Sequence, residues 1–444
     1  MKTKRDNYTF LTTAPVHRVI LTMAIPTIIS MLVTSLYNMV DTYFVGKINT
    51  QCTAAVGVSF SMMAIIQAVG FFCGHGSGNY ISQKLGAKQT EDAAVMAATG
   101  FFYSFSFGIG IAIVSHLFLD DIAVMLGSTP TILPYTRTYL GIVLLGAPFM
   151  TSSFTMNNQM RFQGNALLAM VGIVTGAVLN VFLAPLFIFV FDMGIAGAAI
   201  ATLISQICSF CVLFAMTCSS RNIHIHPRNF SFSRQLMKEI VAGGTPSLSR
   251  QGLGSLAVIM LNVAAGAFGD AAIAGMSIVS RSSFFVYSFI IGLGQGFQPL
   301  CGFCYGARLY SRVKEGYMYS VKLGTAFLIV VAVVSFAFAE PIVAEFRDDP
   351  EVVLVGTAAL RWQLVTFPLM ATVIVSNMFM QTIRKPIRAN ILAAARSGLF
   401  FIPLVLILPK LWGLLGLEIC QAVADVFAFA ITVPLVWSAF REMR

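Results

Sequence analysis

Six polar side chains in the first long apolar segment are spaced so that they could act together on an ion. They are Thr27, Ser30, Thr34, Tyr37, Asn38 and Asp41. Because they recur every three or four residues, they share one face of a helix. Asp41 is the only charged residue between Val19 and Gly46, and an acid within a membrane segment is costly and usually functional. The pattern predicts a helix whose polar face lines a cavity, with Asp41 as its ion-exchanging group.

Asp41 is suited to proton exchange, since burial disfavours the carboxylate anion relative to the neutral acid. Six residues separate it from Lys47, which corresponds to about 9 Å along a helix and places it in the outer half of the membrane. A second interpretation stays open, in which Asp41 reaches the outer interface or pairs with Lys47. The first interpretation is favoured because it also explains the polar face.

The rest of the chain must supply the membrane helices that surround this face. It has 444 residues, of which 57% are hydrophobic and 10% charged, whereas soluble domains have about 25% charged residues. Apolar segments long enough to span a bilayer occur twelve times. They are residues 19–46, 53–83, 93–119, 132–160, 166–191, 195–218, 239–268, 271–305, 319–344, 352–382, 389–409 and 413–438. We therefore predict an all-α integral membrane protein with twelve transmembrane helices in the lipid bilayer.

The basic residues predict the orientation of these helices. If both termini are cytoplasmic, 20 of the 28 Lys and Arg residues, Arg396 among them, fall on the cytoplasmic side. This bias follows the positive-inside rule. The net charge of +10 is thus explained by topology, and no nucleic-acid partner is expected.

Residues of the first half match residues of the second half that lie a constant number of positions further along the chain. This constant difference in residue number is the repeat shift. It carries Pro26 onto Pro246 and Asn157 onto Asn377. The repeat predicts two six-helix lobes, residues 1–218 and 236–444, joined by a cytoplasmic linker at residues 219–235. Because each lobe has an even number of spans, a pseudo-two-fold axis along the membrane normal is expected. Such paired lobes are typical of alternating-access transporters with a substrate site near mid-membrane.

Motifs for other chemistry are missing from the sequence. It has no Gly-x-x-x-x-Gly-Lys-Ser/Thr loop and no His-Glu-x-x-His pair, so neither ATP-driven transport nor an enzyme is expected. The glycine cluster around His75 lies inside a span, where small residues permit close helix packing. We interpret His75 as a packing residue rather than a proton relay, and expect no metal or other cofactor.

Further polar residues within the spans are candidates for the site. The first half offers Tyr139, Asn157, Asn180, Thr202 and Gln206. The repeat partner of Asp41 is Leu261, so the site is expected in the first lobe. The second half offers Arg281, for which bonding between lobes and a role in the cavity or gate remain open.

Several stretches resemble the multidrug and toxic compound extrusion (MATE) transporters, and most closely their DinF-type bacterial branch. They are Ala24-Ile-Pro26, Asp41-Thr-Tyr-Phe-Val-Gly46, Ile81-Ser-Gln-Lys-Leu-Gly-Ala87, Arg161-Phe-Gln-Gly-Asn165, Ala196-Gly-Ala-Ala-Ile-Ala-Thr202 and Gly292-Leu-Gly-Gln-Gly-Phe-Gln-Pro299. The resemblance covers essentially the whole chain. It implies a multi-pass protein of the bacterial cytoplasmic membrane that exports cationic or aromatic amphiphilic compounds in exchange for protons or sodium.

The resemblance implies a polar cluster in the first lobe, whose positions fall here on Tyr37, Asp41, Tyr139, Asn157, Asn180 and Thr202. Together with the other polar residues of the spans, this cluster predicts roles for individual residues. Asp41, Asn180 and Thr202 are expected to couple the ion, and Pro26 is expected to act as a hinge. Substrate contacts are expected from Tyr37, Asn38, Tyr139, Asn157, Gln206, Arg281 and Asn377. One position departs from the family pattern, because Ala184 stands where an acid is usual. Sodium prefers several hard oxygen ligands, so the lone Asp41 favours protons as the coupling ion, with sodium as the alternative.

We therefore predict a proton-coupled multidrug antiporter, expected to act as a monomer on small-molecule drugs or toxic metabolites. A flippase for lipid-linked precursors shares this architecture and should have a larger cationic cavity, for which Arg281 is the single hint. A channel or a non-transporting scaffold fits the spans but does not explain the repeat with its asymmetric polar lobe.

Overall fold

The structure, a computed structural model, describes residues 7–218, 222–346 and 349–443. The side chains of residues 38–40 and 42 stand outside this description. Within the described ranges every regular element is helical.

The first half of the chain contributes nine α-helices. They are α1 (Asn7–Thr13), α2 (Val16–Gly46), α3 (Thr50–Gly86), α4 (Thr90–Leu117), α5 (Leu119–Met125), α6 (Leu133–Val143), α7 (Ala147–Phe162), α8 (Ala166–Pro185) and α9 (Gly194–Thr217). A 3₁₀ turn at Leu144–Gly146 joins α6 to α7, and a π-helical turn at Leu186–Val190 extends α8. Together α6 and α7 form the predicted span at residues 132–160.

The second half contributes eight more. They are α10 (Arg234–Gly266), α11 (Asp270–Gly306), α12 (Tyr310–Ala337), α13 (Ala339–Phe346), α14 (Pro350–Thr382), α15 (Pro386–Ala394), α16 (Ile402–Trp412) and α17 (Leu414–Glu442). A π-helical turn at Ala395–Phe401 joins α15 to α16. The repeat shift carries the first residues of α3, α4, α8 and α9 onto those of α11, α12, α15 and α17, so the repeat seen in the sequence is also a repeat of structure.

Side-chain contacts follow the same repeat. Asn157 donates a hydrogen bond from Nδ2 to the Ala169 carbonyl oxygen at 2.8 Å, and Asn377 donates the corresponding bond to Ala389 at 2.8 Å. Each bond ties two consecutive membrane helices together, α7 to α8 in the first half and α14 to α15 in the second.

Packing divides the chain into two compact units. The first unit comprises the residues up to Thr13 and Ile25–Gly244, and the second comprises Ala14–Ala24 and the residues from Thr245 onward. The first turns of α2 thus pack within the second unit, and the first turns of α10 pack within the first. The repeat shift also relates these two exchanged segments to each other.

Eleven helical spans of the described residues are long and apolar enough to cross a membrane. The twelfth predicted span, residues 239–268, corresponds to α10, which ends two residues earlier. This helix is 33 residues long but carries Lys238, Glu239 and Arg250 and is rich in glycine. Its length, about 50 Å at 1.5 Å per residue, exceeds the thickness of the hydrocarbon core.

The glycine clusters allow helices to approach each other closely. A Cβ atom on Gly78 would clash with the Phe162 ring, and one on Gly76 would clash with the Ile240 carbonyl oxygen. These positions pack helices, as the sequence predicts for them. His75, directly before Gly76, is buried, with Nδ1 3.1 Å from the Phe71 carbonyl oxygen.

One basic residue lies elsewhere than the orientation argument places it. Arg396 is counted above on the cytoplasmic side, yet it stands well inside the span Pro386–Trp412. Its guanidinium bonds to Asp425 on α17, a side chain with no exposed surface. The sequence places Arg396 on the cytoplasmic side because its buried partner lies on another helix and cannot be recognised from the segment around Arg396.

Candidate functional site

Asp41 is buried near the C-terminal end of α2, with 3% of its surface exposed. Two positions further along, the exposed Tyr43 ring is covered by the Lys47 ammonium, whose Nζ lies 4.6 Å from the ring centroid. Lys47 therefore stacks on an aromatic ring, and Asp41 faces the interior of the first unit. This arrangement supports the cavity-facing interpretation over the interfacial one.

Two tyrosines lie beside the Asp41 carboxyl group, and a threonine lies beside the tyrosines. The Tyr139 hydroxyl on α6 donates a hydrogen bond to Asp41 Oδ2 at 3.4 Å. Tyr37, one helical turn before Asp41 on α2, lies beside the same carboxyl group and beside Thr202. Because these groups come from α2, α6 and α9, the cluster depends on the packing of three helices.

Asn180 and Thr202 form a buried pair next to this cluster. Asn180 Nδ2 on α8 donates to Thr202 Oγ1 on α9 at 3.2 Å, and both residues are buried. The pair links α8 to α9, and Thr202 connects it to the two tyrosines beside Asp41. Asp41, Asn180 and Thr202, the three predicted ion-coupling residues, thus lie in one region of the first unit.

A cavity of about 170 Å³ opens beside Asp41 within the first unit. Two methionine and two phenylalanine side chains contribute to its wall, and serine and glutamine side chains supply polar groups. Its lining residues are Thr34, Tyr37, Asp41, Val56, Phe60, Met63, Ala64, Gln67, Tyr139, Met150, Ser153, Phe154, Ile173, Gly176, Ala177, Ser205, Gln206 and Ser209.

Hydrogen-bond acceptors with no partner among the described residues surround this cavity. They are Asp41 Oδ1, Ser153 Oγ, Ser205 Oγ and Gln206 Oε1. The amide nitrogen of Gln206 lies 3.6 Å from the Met150 sulfur, so its carbonyl oxygen remains available. Buried polar groups are normally satisfied. The cavity is therefore suited to a guest that brings hydrogen-bond donors and a positive charge.

The predicted substrate-contacting residues do not all meet here. Tyr37, Tyr139 and Gln206 line the cavity. Asn157 bonds to the α8 backbone and is not among the lining residues. The side chain of Asn38 lies outside the described part of the chain.

Two further predicted contacts belong to the second unit. Asn377 is buried, where its Nδ2 bonds to Ala389 and its Oδ1 accepts from Arg250 Nη1 at 3.0 Å. Arg281 is exposed on α11. Neither lines the cavity described above, which is formed by residues of the first unit alone.

Several cavity residues were not predicted from the sequence, among them Gln67, Ser153 and Ser205. A signal for some of them was present. Thr202, Ser205 and Ser209 follow one another at intervals of three and four residues on α9, the same spacing that identified the polar face of α2. For Ser153 no such pattern exists, because α7 is polar on several sides.

The remaining site predictions concern Pro26 and Ala184. Pro26 is buried inside the continuous helix α2, next to the point where the chain passes from the second unit to the first. Ala184 is completely buried in an apolar cluster that also contains Val45, Tyr139 and Ala198. At this position the chain therefore supplies no ligand oxygen from a side chain.

Comparison with known proteins places these features in context. A family model of MatE matches the chain twice, at residues 26–186 and 246–407, and the repeat shift carries the start of the first match onto the start of the second. Multidrug export protein MepA of Staphylococcus aureus strain NCTC 8325 / PS 47 is 27% identical over 440 residues, which cover 98% of this chain and 96% of that protein.

Solved structures match over essentially the whole chain. The structure of MATE in the bent conformation overlaps with a TM-score of 0.93 at 25% identity, covering 100% of this chain and 99% of that one. The outward-facing conformation of a multidrug resistance MATE family transporter of the MOP superfamily overlaps with a TM-score of 0.92 at the same identity and coverage. These overlaps confirm the predicted all-α membrane fold of twelve helices in two lobes.

Proposed function

This chain belongs to the MatE family, and from that premise we propose that it exports cationic, aromatic amphiphilic compounds in exchange for protons that bind Asp41. The family predicted from the sequence is confirmed, and the chain is a multi-pass membrane transporter rather than an enzyme. The coupling ion, the class of substrate and the residues involved form the proposal.

The single observation that carries the proposal is the state of the Asp41 carboxyl group. It is buried against the cavity, and within the described residues one oxygen has only the 3.4 Å bond from Tyr139 and the other has none. A buried carboxylate with so few donors is costly as an anion. A bound proton or a bound organic cation would each relieve that cost.

Competition between these two ligands supports exchange. A proton on Asp41 removes the charge that attracts a cationic guest, and a bound cation disfavours protonation. Occupancy of one carboxyl group by either ligand, but not by both, is the minimal requirement for antiport. The rearrangement that alternates access would involve α2, with Pro26 as its hinge, because proline removes a backbone hydrogen bond within a helix.

The cavity wall supports the substrate class. Its phenylalanine and methionine side chains offer aromatic faces and polarizable thioethers, which adapt to guests of different shape. Aromatic faces also attract cations. The acceptors at Ser153, Ser205 and Gln206 would orient a guest that carries N–H or O–H donors.

We also propose where and how the transporter works. The excess of Lys and Arg on one side supports a bacterial cytoplasmic membrane with both termini in the cytoplasm. A cavity built within one unit of one chain supports action as a monomer. No organic cofactor is required, since the chemistry consists of ion binding alone.

Efflux from proteoliposomes tests the proposal. Ethidium serves as a small aromatic cation, and its movement is followed under an imposed pH gradient with and without sodium. We expect Asp41→Asn to abolish efflux driven by the pH gradient. Asp192→Asn is the matched control, because Asp192 is an exposed acid of the same unit and should be dispensable. Full efflux by Asp41→Asn would overturn the proposal, and efflux that requires sodium would replace the proton by sodium.

A further inference from the structure

The second unit contains its own buried acid, whose surroundings differ from those of Asp41. Asp425 on α17 accepts hydrogen bonds from Arg396 Nε at 2.9 Å and Gln421 Nε2 at 2.8 Å on Oδ1, and from Thr366 Oγ1 at 3.3 Å on Oδ2. Oδ1 therefore has two donors, while Oδ2 shares the Thr366 hydroxyl with the Gln363 carbonyl oxygen, which lies closer at 2.9 Å. The charge of Asp425 is matched by a guanidinium.

The same guanidinium also stacks on an aromatic ring. Arg396 Cζ lies 4.3 Å from the centroid of the Tyr287 ring, well within the range of a cation–π interaction. Arg396 stands at the second position of the π-helical turn Ala395–Phe401, a local geometry found often at functional sites. Asp425, Gln421, Thr366 and Tyr287 together make a site for a planar cation, and Arg396 fills it.

The internal repeat shows what this site corresponds to in the first unit. Under the repeat shift Arg396 corresponds to Gly176, Asp425 to Ser205, Tyr287 to Gln67 and Ser283 to Met63. All four first-unit residues line the cavity beside Asp41. Where the first unit has a glycine and an open cavity, the second unit has an arginine whose side chain enters the corresponding space.

Other polar residues of the first-unit cavity have apolar counterparts in the second unit. Tyr37, Asp41, Tyr139 and Gln206 correspond to Ala257, Leu261, Ala359 and Val426. Leu261 and Tyr287 belong to the apolar core of the second unit. The buried acid is therefore on α2 in the first unit, whereas in the second unit it is on the last helix, α17, beside the arginine.

We propose that Arg396 is an internal ligand, and that Asp425 and the Tyr287 ring form a second binding site for planar organic cations that the chain keeps closed with its own guanidinium. The unit that has this internal cation takes no guest, and the unit that has Gly176 does. Removing the Arg396 side chain would expose a site for guanidinium or amidinium groups. This proposal does not depend on proton coupling at Asp41.

A purely structural role explains the contacts less completely. Replacing a buried ion pair by well-packed apolar residues is often neutral or stabilising, so space filling alone does not require a charged pair. Arginine also matches a carboxylate and an aromatic face at the same time, which a lysine ammonium does not do as well.

Chemical rescue of Arg396→Ala tests the proposal on the full-length protein. The probe is guanidinium chloride at millimolar concentrations, and the measurement is thermal unfolding in detergent. We expect the variant to be destabilised and then stabilised saturably, since a ligand at ten times its Kd raises the ratio of folded to unfolded protein about elevenfold. Urea, a neutral molecule of the same shape, and sodium chloride should not rescue.

Two variants serve as controls. Arg396→Ala combined with Asp425→Ala removes the acceptor, so guanidinium should no longer stabilise it. Arg388→Ala removes an arginine from a more exposed ion pair with Glu442, where solvent already has access and no rescue is expected. Equal stabilisation of all variants, or equal rescue by urea or sodium chloride, would overturn the proposal.

The proposal remains testable where Arg396→Ala folds poorly. Folded yield is then measured by gel filtration after expression and extraction with and without guanidinium chloride. Recovery in the single variant but not in the double variant supports an internal ligand. Equal yields with and without the salt in the single variant contradict it.

Discussion

The Tyr139 hydroxyl donates to Asp41 Oδ2 at 3.4 Å, and this bond connects the helix α6 to the acid on α2. It is a long hydrogen bond between two buried groups, and it leaves Asp41 Oδ1 without a partner among the described residues. Asp425 in the second unit has two donors on Oδ1 and is paired with the Arg396 guanidinium. The contrast explains why the first-unit acid is the better candidate for reversible binding.

Tyr139→Phe should weaken transport without abolishing it. The change removes the hydroxyl that donates to Asp41 and leaves the ring in its packed position. Hydrogen bonds between membrane helices contribute about 0.6 kcal/mol on average and up to about 1.7 kcal/mol, and the long bond from Tyr139 belongs at the lower end. Since about 1.4 kcal/mol corresponds to a factor of ten, we expect initial ethidium efflux to fall by less than about tenfold.

Tyr135→Phe is the control, because Tyr135 lies one turn earlier on α6 and also packs against the apolar cluster around Tyr139. It should transport at the normal rate. Complete loss of efflux in Tyr139→Phe would mean that the hydroxyl itself takes part in ion exchange, contrary to the supporting role assigned here.

Filling the cavity should block drug binding while the protein stays folded. Ala177 lines the cavity, and Val178, the next residue on α8, has 47% of its surface exposed on the outer side of the unit. Ala177→Trp should reduce ethidium affinity by at least about tenfold, equal to about 1.4 kcal/mol. Val178→Trp should bind normally, because its side chain faces away from the cavity. Fluorescence titration of purified protein measures both, and equal affinities would exclude the cavity as the binding site.

Asn157 and Asn377 should matter for stability rather than for substrate binding. Asn157→Ala removes one bond to a helix backbone, at a cost of about 0.6 to 1.7 kcal/mol. Asn377→Ala should cost more, because Asn377 also accepts a bond from Arg250. Thermal unfolding should show this order, with ethidium affinity per folded molecule unchanged. If Asn157→Ala left the unfolding temperature unchanged but lost ethidium binding, Asn157 would instead be a substrate contact.

The sequence predicted those features that depend on periodicity along one helix or on the repeat. The polar face of α2 followed from a spacing of three and four residues, and the match of Asn157 with Asn377 followed from the repeat shift. The asparagine match appears in the structure as two equivalent hydrogen bonds. Of the predicted polar face, Thr34, Tyr37 and Asp41 line the cavity, whereas Thr27 and Ser30 are buried and are not among its lining residues.

Features that depend on contacts between distant helices were not predicted. Arg396 and Asp425 lie in different helical segments, and nothing in either segment indicates that they meet. The cavity wall was not predicted for the same reason, because Gln67, Ser153 and Ser205 come from three different helices. The short helices α5 and α13 were also missed, since each is a brief amphipathic segment directly after a long apolar span.

Ala184→Asp should create a dependence on sodium, which the proposed proton coupling does not give the natural chain. Ala184 lies four residues after Asn180, on the same face of α8, and its buried cluster includes Tyr139. An aspartate there would add a second carboxylate near Asp41, Asn180 and Thr202, giving the several hard oxygen ligands that a sodium site prefers. Without sodium, two nearby buried acids repel each other and raise the cost of burial.

We therefore expect Ala184→Asp to unfold at a lower temperature than the natural protein in choline chloride, and sodium chloride to reverse part of the loss. The natural protein should unfold at the same temperature in both salts. Ala199→Asp is a suitable control, because Ala199 is equally buried in the same cluster and an acid there should destabilise the unit in both salts alike. Stabilisation of the natural protein by sodium would contradict proton coupling, because a ligand that binds only the folded state raises its stability.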